Sequence, residues 1–153
     1  MSFTTYLAGE IHTDWRNELI QKAEQLNLPI SFTSPVTDHG LSDDCGVIVS
    51  GQEVKQIWHD RKGAGLNGAR TSVLIAHADF VVVKFGEQYK QWNAAFDAGI
   101  AHALGKPLIL IRPDQFIHAL KEIERAAHAA VEEIGGAVSA LEYITKGVIS
   151  DRG

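Results

Sequence analysis

Short apolar runs alternate with longer segments of helical spacing along almost the whole chain. The apolar runs that predict strands are residues 3–8, 29–33, 79–84 and 108–111, with a weaker edge strand at 127–132. The segments that predict helices are residues 14–27, 52–61, 67–76, 91–104, 113–123 and 134–146. Strands that alternate with helices in this way indicate a parallel sheet.

Glycine, proline and polar residues interrupt this pattern at three places, where we predict a loop, a turn and the end of a helix. Residues 35–45 are rich in Pro, Gly, Ser, acidic residues and His, and they predict a long loop of the kind that often carries function. The Gly-Ala-Gly sequence at 63–65 predicts a turn between two helices. Gly105 and Pro107 predict the end of the helix over 91–104.

The fold predicted from this order is an α/β three-layer sandwich with a parallel sheet between helices, of the flavodoxin-like or Rossmann-like type. The chain has 153 residues and neither a low-complexity linker nor an internal repeat, so we expect a single domain over residues 1–153. The pattern does not fix the order of the strands in the sheet.

Composition excludes several classes of function. The formal net charge is -5 and the Lys and Arg residues form no block, so a nucleic-acid platform is not expected. The single cysteine, Cys45, cannot form an internal disulfide framework and fits a reducing compartment. We find no signal peptide and no apolar segment of membrane-spanning length, so we expect a cytoplasmic protein without a membrane partner.

Residues suited to a flat, polar ligand follow the third predicted strand, and the carboxyl ends of strands are where open α/β sheets bind ligands. The segment holds the amides of Gln91 and Asn93 and the ring of Trp92, which can hydrogen-bond and stack on a base. Trp92 could equally serve ordinary packing or a subunit contact.

Asp97 is the candidate reactive group of this segment. It falls within the first two turns of its predicted helix, and we expect the positive end of the helix to favour the ionised carboxylate. The alternative is a structural carboxylate that caps a loop or pairs with Lys106 or Arg112.

The first strand offers a second group of candidates. Tyr6 can place a phenol near the same sheet edge and orient a carboxylate, although a core tyrosine fits its spacing as well. Gly9, Glu10 and His12 follow that strand without the glycine-rich pattern of a phosphate loop. Glu10 can accept from a sugar hydroxyl, or it can be a solvated loop acid.

Asp38 and His39, in the predicted long loop, raise the possibility of a metal site. The acids around them do not follow the EF-hand order, and the loop offers too few nitrogen or sulfur ligands for zinc. We therefore predict no metal and no cofactor, and we assign Asp38 and His39 to helix capping or to ligand gating.

Three segments, residues 6–12, 34–39 and 78–107, resemble the nucleoside 2-deoxyribosyltransferase superfamily, and more closely its YtoQ-type branch. The most specific likeness is Asp97 between Phe96 and Ala98, on a helix that ends in Gly-Lys-Pro. The resemblance implies a flavodoxin-like fold, an N-glycosidic bond as target and a symmetric homo-oligomer. It also implies that Asp97 is the nucleophile that attacks the anomeric carbon and that Tyr6 holds this carboxylate in place.

The chain departs from the superfamily pattern at two points. The superfamily nucleophile is normally glutamate, and aspartate is shorter by about 1.5 Å of reach. The acid that usually protonates the leaving base is replaced by Gln91 and Asn93, whose amides can recognise a base edge but cannot act as that acid. Protonation of the base then falls to Asp38, His39, Glu10 or water.

The first hypothesis is an enzyme of nucleosides, a 2-deoxyribosyltransferase or a related N-glycoside hydrolase. Gln91, Trp92 and Asn93 would hold the base, and Glu10 and His12 the sugar. Because Glu10 disfavours an anion, this hypothesis predicts free nucleosides rather than nucleotides as substrates. The alternative is a non-catalytic module that binds a nucleoside or nucleotide, and a weaker one is a structural partner domain.

Overall fold

The computed structural model describes residues 1–150 and contains one five-stranded, wholly parallel sheet. Its strands are β1 (Phe3–Gly9), β2 (Ile30–Thr33), β3 (Phe80–Lys84), β4 (Leu108–Ile111) and β5 (Ala129–Val131). The helices are α1 (Trp15–Gln25), α2 (His39–Ser50), α3 (Gln56–His77), α4 (Trp92–Ala103), α5 (Lys121–Ala126) and α6 (Ile134–Lys146). The strand order β2-β1-β3-β4-β5 is the flavodoxin-like one, which confirms the predicted fold class.

Two apolar clusters, one on each face of the sheet, form the core. Alternate residues of β1 and β3 point to opposite faces, so Leu7 and Val82 pack against α1 and α6, while Tyr6 and Val81 pack against α3 and α4. The central strands β3 and β4 are buried on both faces, which is why they form continuous apolar runs in the sequence.

The structure corrects the prediction that residues 35–45 form a long loop. Helix α2 begins at His39, and the side chain of Asp38 caps it by accepting a 2.7 Å hydrogen bond from the backbone N–H of Leu41. The acids and glycines of this segment therefore lie largely within a helix rather than in a loop.

The predicted turn at 63–65 is also wrong, since α3 runs without a break from Gln56 to His77. The glycines serve the packing of α2 against α3. A Cβ atom on Gly46 would overlap the backbone at Lys62 and Gly63, and one on Gly63 would lie 2.9 Å from the carbonyl oxygen of Asp43. At this crossing, glycine allows two helix backbones to approach closely.

The remaining segments follow the prediction with shifted bounds. The predicted helix over 113–123 is a short 3-10 turn at Asp114–Phe116 followed by α5, and the predicted edge strand is the three-residue β5. Among the helices described, none is both long and apolar enough to span a membrane.

Candidate functional site

A cleft of about 760 Å³ opens at the carboxyl edge of the sheet. One wall is the loop that follows β1, from Gly9 to His12; another is a face of α3; a third is the stretch from Tyr89 through the first turns of α4. The cleft therefore lies where β1 and β3 end side by side, the place at which open α/β sheets bind their ligands.

Asp97 borders this cleft from α4 and is 9% exposed. Within residues 1–150 its carboxylate forms no hydrogen bond and no ion pair, and burial raises its pKa to about 6. The two cations considered as partners are engaged elsewhere. Lys106 donates to the carbonyl of Ala76 at 2.7 Å, and Arg112 pairs with Glu124 at 2.9 Å. Pairing with either cation is thus excluded.

The expected lowering of the Asp97 pKa by the helix is not found, although a carboxyl group with a pKa of about 6 is still mostly ionised at pH 7. Asp97 is the sixth residue of α4, whereas the field of a helix end falls off within the first turn. Desolvation outweighs that field, and the pKa of Asp97 rises instead of falling.

Tyr6 is completely buried and lies behind the cleft rather than on its surface. Its phenol shares a 3.4 Å hydrogen bond with the hydroxyl of Thr71. Burial raises the pKa of Tyr6 to about 12 against the opposing effect of that bond, and the negative charge of Asp97 adds to the rise. The phenol is therefore protonated, and no hydrogen bond joins it to the Asp97 carboxylate within residues 1–150.

Glu10 is buried, and both of its oxygens already accept hydrogen bonds. The backbone N–H groups of His12 and Thr13 donate at 2.7 and 3.0 Å, the Thr13 hydroxyl donates as well, and Lys84 forms a 3.0 Å ion pair. Burial alone would raise the pKa of Glu10, but these bonds lower it to about 2. Glu10 is thus neither a solvated acid nor an uncompensated charge. It therefore gives no reason to expect that an anionic substrate is repelled.

The backbone around Gly9 has no room for a side chain. Gly9 has φ +122°, and a Cβ atom there would overlap the backbone of Lys84. His12 extends from the next turn of the loop, with its ring 4.4 Å from that of Tyr89 and 5.5 Å from that of His39. Gly9 and His12 border the cleft, whereas Asp38 and His39 do not. Asp38 serves as the cap of α2, and a role of Asp38 or His39 toward a ligand stays a prediction.

The amide residues before and in α4 differ from each other. The Gln91 side chain accepts from the N–H of Gly86 at 3.0 Å and donates to the carbonyls of Gln88 and Tyr89 at 2.5 and 3.0 Å. It therefore holds the loop together. Asn93 is exposed to the cleft without a side-chain partner in the described part of the chain, and Trp92, 72% exposed, lies beside it.

Sequence reasoning missed the wall that α3 contributes. Its residues toward the cleft are small or polar, and they recur three or four positions apart: Asp60, Gly63, Ala64, Asn67, Gly68 and Thr71, with Arg70 beside them. That recurrence is the signal that could have revealed the face. It was hidden because the glycines predicted a break in the helix.

No group of three or more His, Cys, Asp or Glu side chains in residues 1–150 is arranged to hold a metal ion. The potential chemistry of the cleft lies in a buried unpaired carboxylate, a nearby phenol, an exposed indole and a free amide. Such a set can attack an electrophilic carbon and hold a flat polar group beside it.

A parallel five-stranded sheet of this order, with an unpartnered acid at its carboxyl edge, defines a class of α/β proteins that bind small ligands at that edge. The chain belongs to the family described as nucleoside 2-deoxyribosyltransferase YtoQ, whose model matches residues 6–145. It is 46% identical over 144 residues to the uncharacterized protein YtoQ of Bacillus subtilis (strain 168), covering 94% of this chain and 97% of that protein.

Solved structures share the fold at low identity. A conserved protein from Enterococcus faecalis V583 is 14% identical with a TM-score of 0.64, over 94% of this chain and 99% of that one. The 2-deoxyribosyltransferase of Bacillus psychrosaccharolyticus is 22% identical with a TM-score of 0.58, over 88% and 90%. The CMP N-glycosidase of Clostridium botulinum is 12% identical with a TM-score of 0.50, over 91% and 98%.

Proposed function

We propose that this protein cleaves the N-glycosidic bond between a base and its sugar, with Asp97 as the nucleophile. The observation that carries the proposal is that Asp97 is a buried carboxylate that borders the cleft and has no partner among residues 1–150. The family description and the names of the two enzymes that share the fold, a 2-deoxyribosyltransferase and a CMP N-glycosidase, support a base–sugar bond as the target.

In the proposed reaction, a carboxylate oxygen of Asp97 bonds to the anomeric carbon while the carbon–nitrogen bond to the base breaks. The electron pair of that bond leaves with the base, and a second base or water then displaces the aspartyl ester. At pH 7 a carboxyl group with a pKa of about 6 is mostly ionised, and its burial leaves the anion weakly solvated. Tyr6, which stays protonated, can donate to this carboxylate and hold it in place.

The proton for the departing base comes from water in this proposal. Glu10, with a pKa lowered to about 2 by its hydrogen bonds, is ionised and cannot donate one. Neither Asp38 nor His39 lines the cleft, since Asp38 caps α2 and the His39 ring stacks on that of His12. Trp92 and Asn93 supply a stacking surface and a hydrogen-bonding edge for the base, and His12 lies at the sugar end.

The proposed setting is a cytoplasmic homo-oligomer that acts on a small-molecule nucleoside without a cofactor. The large apolar side chains of Trp92 and Phe96, 72% and 69% exposed at the cleft rim, support assembly through or near this rim.

The test is a base-exchange assay. A panel of 2′-deoxynucleosides is mixed with a second free base, and new nucleosides or free sugar are quantified by chromatography. Asp97→Asn keeps the size of the side chain and should lower the rate by about 10³-fold or more. Glu24→Gln, a matched change of an exposed acid on α1, should retain full activity. Equal activity of Asp97→Asn and the wild type would refute the proposal.

A non-catalytic nucleoside-binding module is the second candidate. It is favoured by one observation, namely that the acids predicted to protonate the leaving base are either locked in hydrogen bonds or outside the cleft. Calorimetry separates the two, because nucleoside binding without any product over the whole panel would establish the module.

A further inference from the structure

Arg70 is a cation in the cleft whose hydrogen-bonding capacity is largely unused. One Nη donates to the carbonyl of Ser34 at a long 3.4 Å, and no carboxylate within residues 1–150 lies at ion-pair distance from the guanidinium. A guanidinium has five N–H donors in a rigid fork that matches a phosphate. Most of that fork is free to meet a ligand.

Arg70 lies near the proposed reaction centre. It precedes Thr71, whose hydroxyl bonds Tyr6. After burial and that hydrogen bond, the pKa of Tyr6 also responds to the charges of Asp97 and Arg70, which act in opposite directions. Asp97 and Arg70 both line this cleft, so one ligand can extend from the carboxylate toward the guanidinium.

The cations near the cleft differ in how far they are already engaged. Lys84 neutralises Glu10 at 3.0 Å. Arg16 is buried and donates only to backbone carbonyls, of Leu7, Gly9 and Glu10. Arg70 and Lys90 line the cleft, and neither has a carboxylate at ion-pair distance within residues 1–150, so either can attract an anion.

The acids that also line the cleft are at its other end. Asp60 is ten residues before Arg70 on α3, about 15 Å along the helix axis. Asp43 lies against Gly63, seven residues before Arg70, where α2 crosses α3. These acids stand apart from the Arg70 end, so the cleft is polarised along its length.

We propose that Arg70 forms an anion subsite for the 5′-phosphate of the substrate, and that the preferred substrates are nucleoside monophosphates rather than free nucleosides. This inference rests on the proposed cleavage of a base–sugar bond at Asp97. It assigns the free guanidinium fork to the phosphate, while the base occupies the side of the cleft that Trp92 and Asn93 form.

The deciding measurement is kcat/KM for each 2′-deoxynucleoside and for its 5′-monophosphate. The wild type should favour the monophosphate by about 10- to 100-fold, the range expected of charge-assisted hydrogen bonds. Arg70→Met should lower this preference to less than about threefold, and Arg70→Lys should restore part of it. Arg61→Met, an exposed arginine of α3 outside the cleft, should behave as the wild type.

Binding separates this inference from the proposed reaction. Calorimetry on Asp97→Asn with the monophosphate, the nucleoside and inorganic phosphate requires no turnover. Tighter binding of the monophosphate that depends on Arg70 would uphold the subsite even if no product forms. A wild type that prefers free nucleosides, or an Arg70→Met variant that weakens both ligands equally, would overturn it. Circular dichroism and melting temperature establish that each variant is folded.

Discussion

Glu10 and Asp97 are both buried carboxylates at the rim of one cleft, and they behave in opposite ways. Glu10 is 3% exposed and accepts from Thr13, Lys84 and the backbone N–H of His12, so its pKa falls to about 2 despite burial. Asp97 is 9% exposed and has no such partner within the described residues, so burial raises its pKa to about 6.

The comparison teaches that the partners of a buried acid, rather than its burial, indicate its role. The bonds of Glu10 are satisfied inside the protein, and they shape the loop after β1. The charge of Asp97 is left without compensation, which destabilises the fold unless a ligand uses it. Each experiment below tests one side of this contrast.

The largest effect is expected for Glu10→Ala. The change removes one member of a buried ion pair and leaves Lys84, the Thr13 hydroxyl and two backbone N–H groups without their acceptor. We expect the free energy of unfolding at pH 7, measured with urea, to fall by about 3–5 kcal/mol. Glu24→Ala on the surface of α1 should change it by less than about 0.5 kcal/mol.

The effect of Glu10 should also depend on pH in a defined direction. Its pKa is lower in the folded state than its ordinary value of 4.5, so its stabilisation is present above about pH 4.5 and is lost as the pH falls toward 2. The difference in the free energy of unfolding between the wild type and Glu10→Ala should therefore become smaller as the pH falls over that range. A difference in the free energy of unfolding that is constant with pH, or smaller than about 1 kcal/mol at pH 7, would contradict the structural role of Glu10.

The second expectation concerns the rate of cleavage of a free nucleoside. Asp97 must be ionised to attack, so kcat/KM should fall tenfold for each pH unit below about 6, roughly 100-fold at pH 4. A free nucleoside is the right substrate because a phosphate monoester itself titrates near pH 6. Circular dichroism at each pH controls for unfolding, and a flat profile down to pH 4.5 would exclude Asp97 as the ionised nucleophile.

Much of the fold could be predicted from the pattern of apolar residues. The bounds of α6 and β4 match the prediction, and those of β1, β2 and β3 lie within a residue of theirs. Strands β3 and β4 are the clearest, because strands buried on both faces are uninterrupted apolar runs. The extent of α2 and the continuity of α3 could not be predicted, because glycine has two opposite uses. The same residue that ends a helix in water allows two helices to cross closely, as at Gly46 and Gly63.

The position of the cleft could be predicted from the sequence, but the contacts of the residues around it could not. Asp97 follows a buried strand, so its place at the sheet edge came from local sequence. The engagement of Glu10 depends on Lys84, which is 74 residues away, and no local pattern reports such a contact. The same holds for Arg70 and Thr71, which reach the cleft only because α3 is continuous.

A third expectation is that Asp97→Asn stabilises the protein. The folded-state pKa of Asp97 is raised from 3.8 to about 6, so the carboxyl group destabilises the fold progressively as the pH rises from about 4 to 6, and fully above that. Removal of the charge should therefore raise the free energy of unfolding at pH 7 by about 1–3 kcal/mol. The gain should vanish near pH 4, where the wild-type carboxyl group is protonated in the folded state.

Loss of stability in Asp97→Asn at pH 7 would mean that the carboxylate has a stabilising partner. That result would place Asp97 with Glu10 as a structural acid. If Asp97→Asn stabilises the protein by the same free energy at pH 4 and at pH 7, the stabilisation does not come from the titration of Asp97.

The smallest effects are expected for the amides Gln91 and Asn93. Like Glu10 and Asp97, one of them is bonded within the fold and the other is not, but neither carries a charge. Gln91→Ala removes three hydrogen bonds within the loop, where Tyr89 has a strained φ of +62°, so unfolding should require about 1 kcal/mol less. Asn93→Ala should leave stability within about 0.5 kcal/mol and weaken nucleoside binding, measured by calorimetry, by about 0.5–1.5 kcal/mol. If Asn93→Ala destabilises the protein more than Gln91→Ala does, the hydrogen bonds inside the fold do not determine which of the two amides is available to a base.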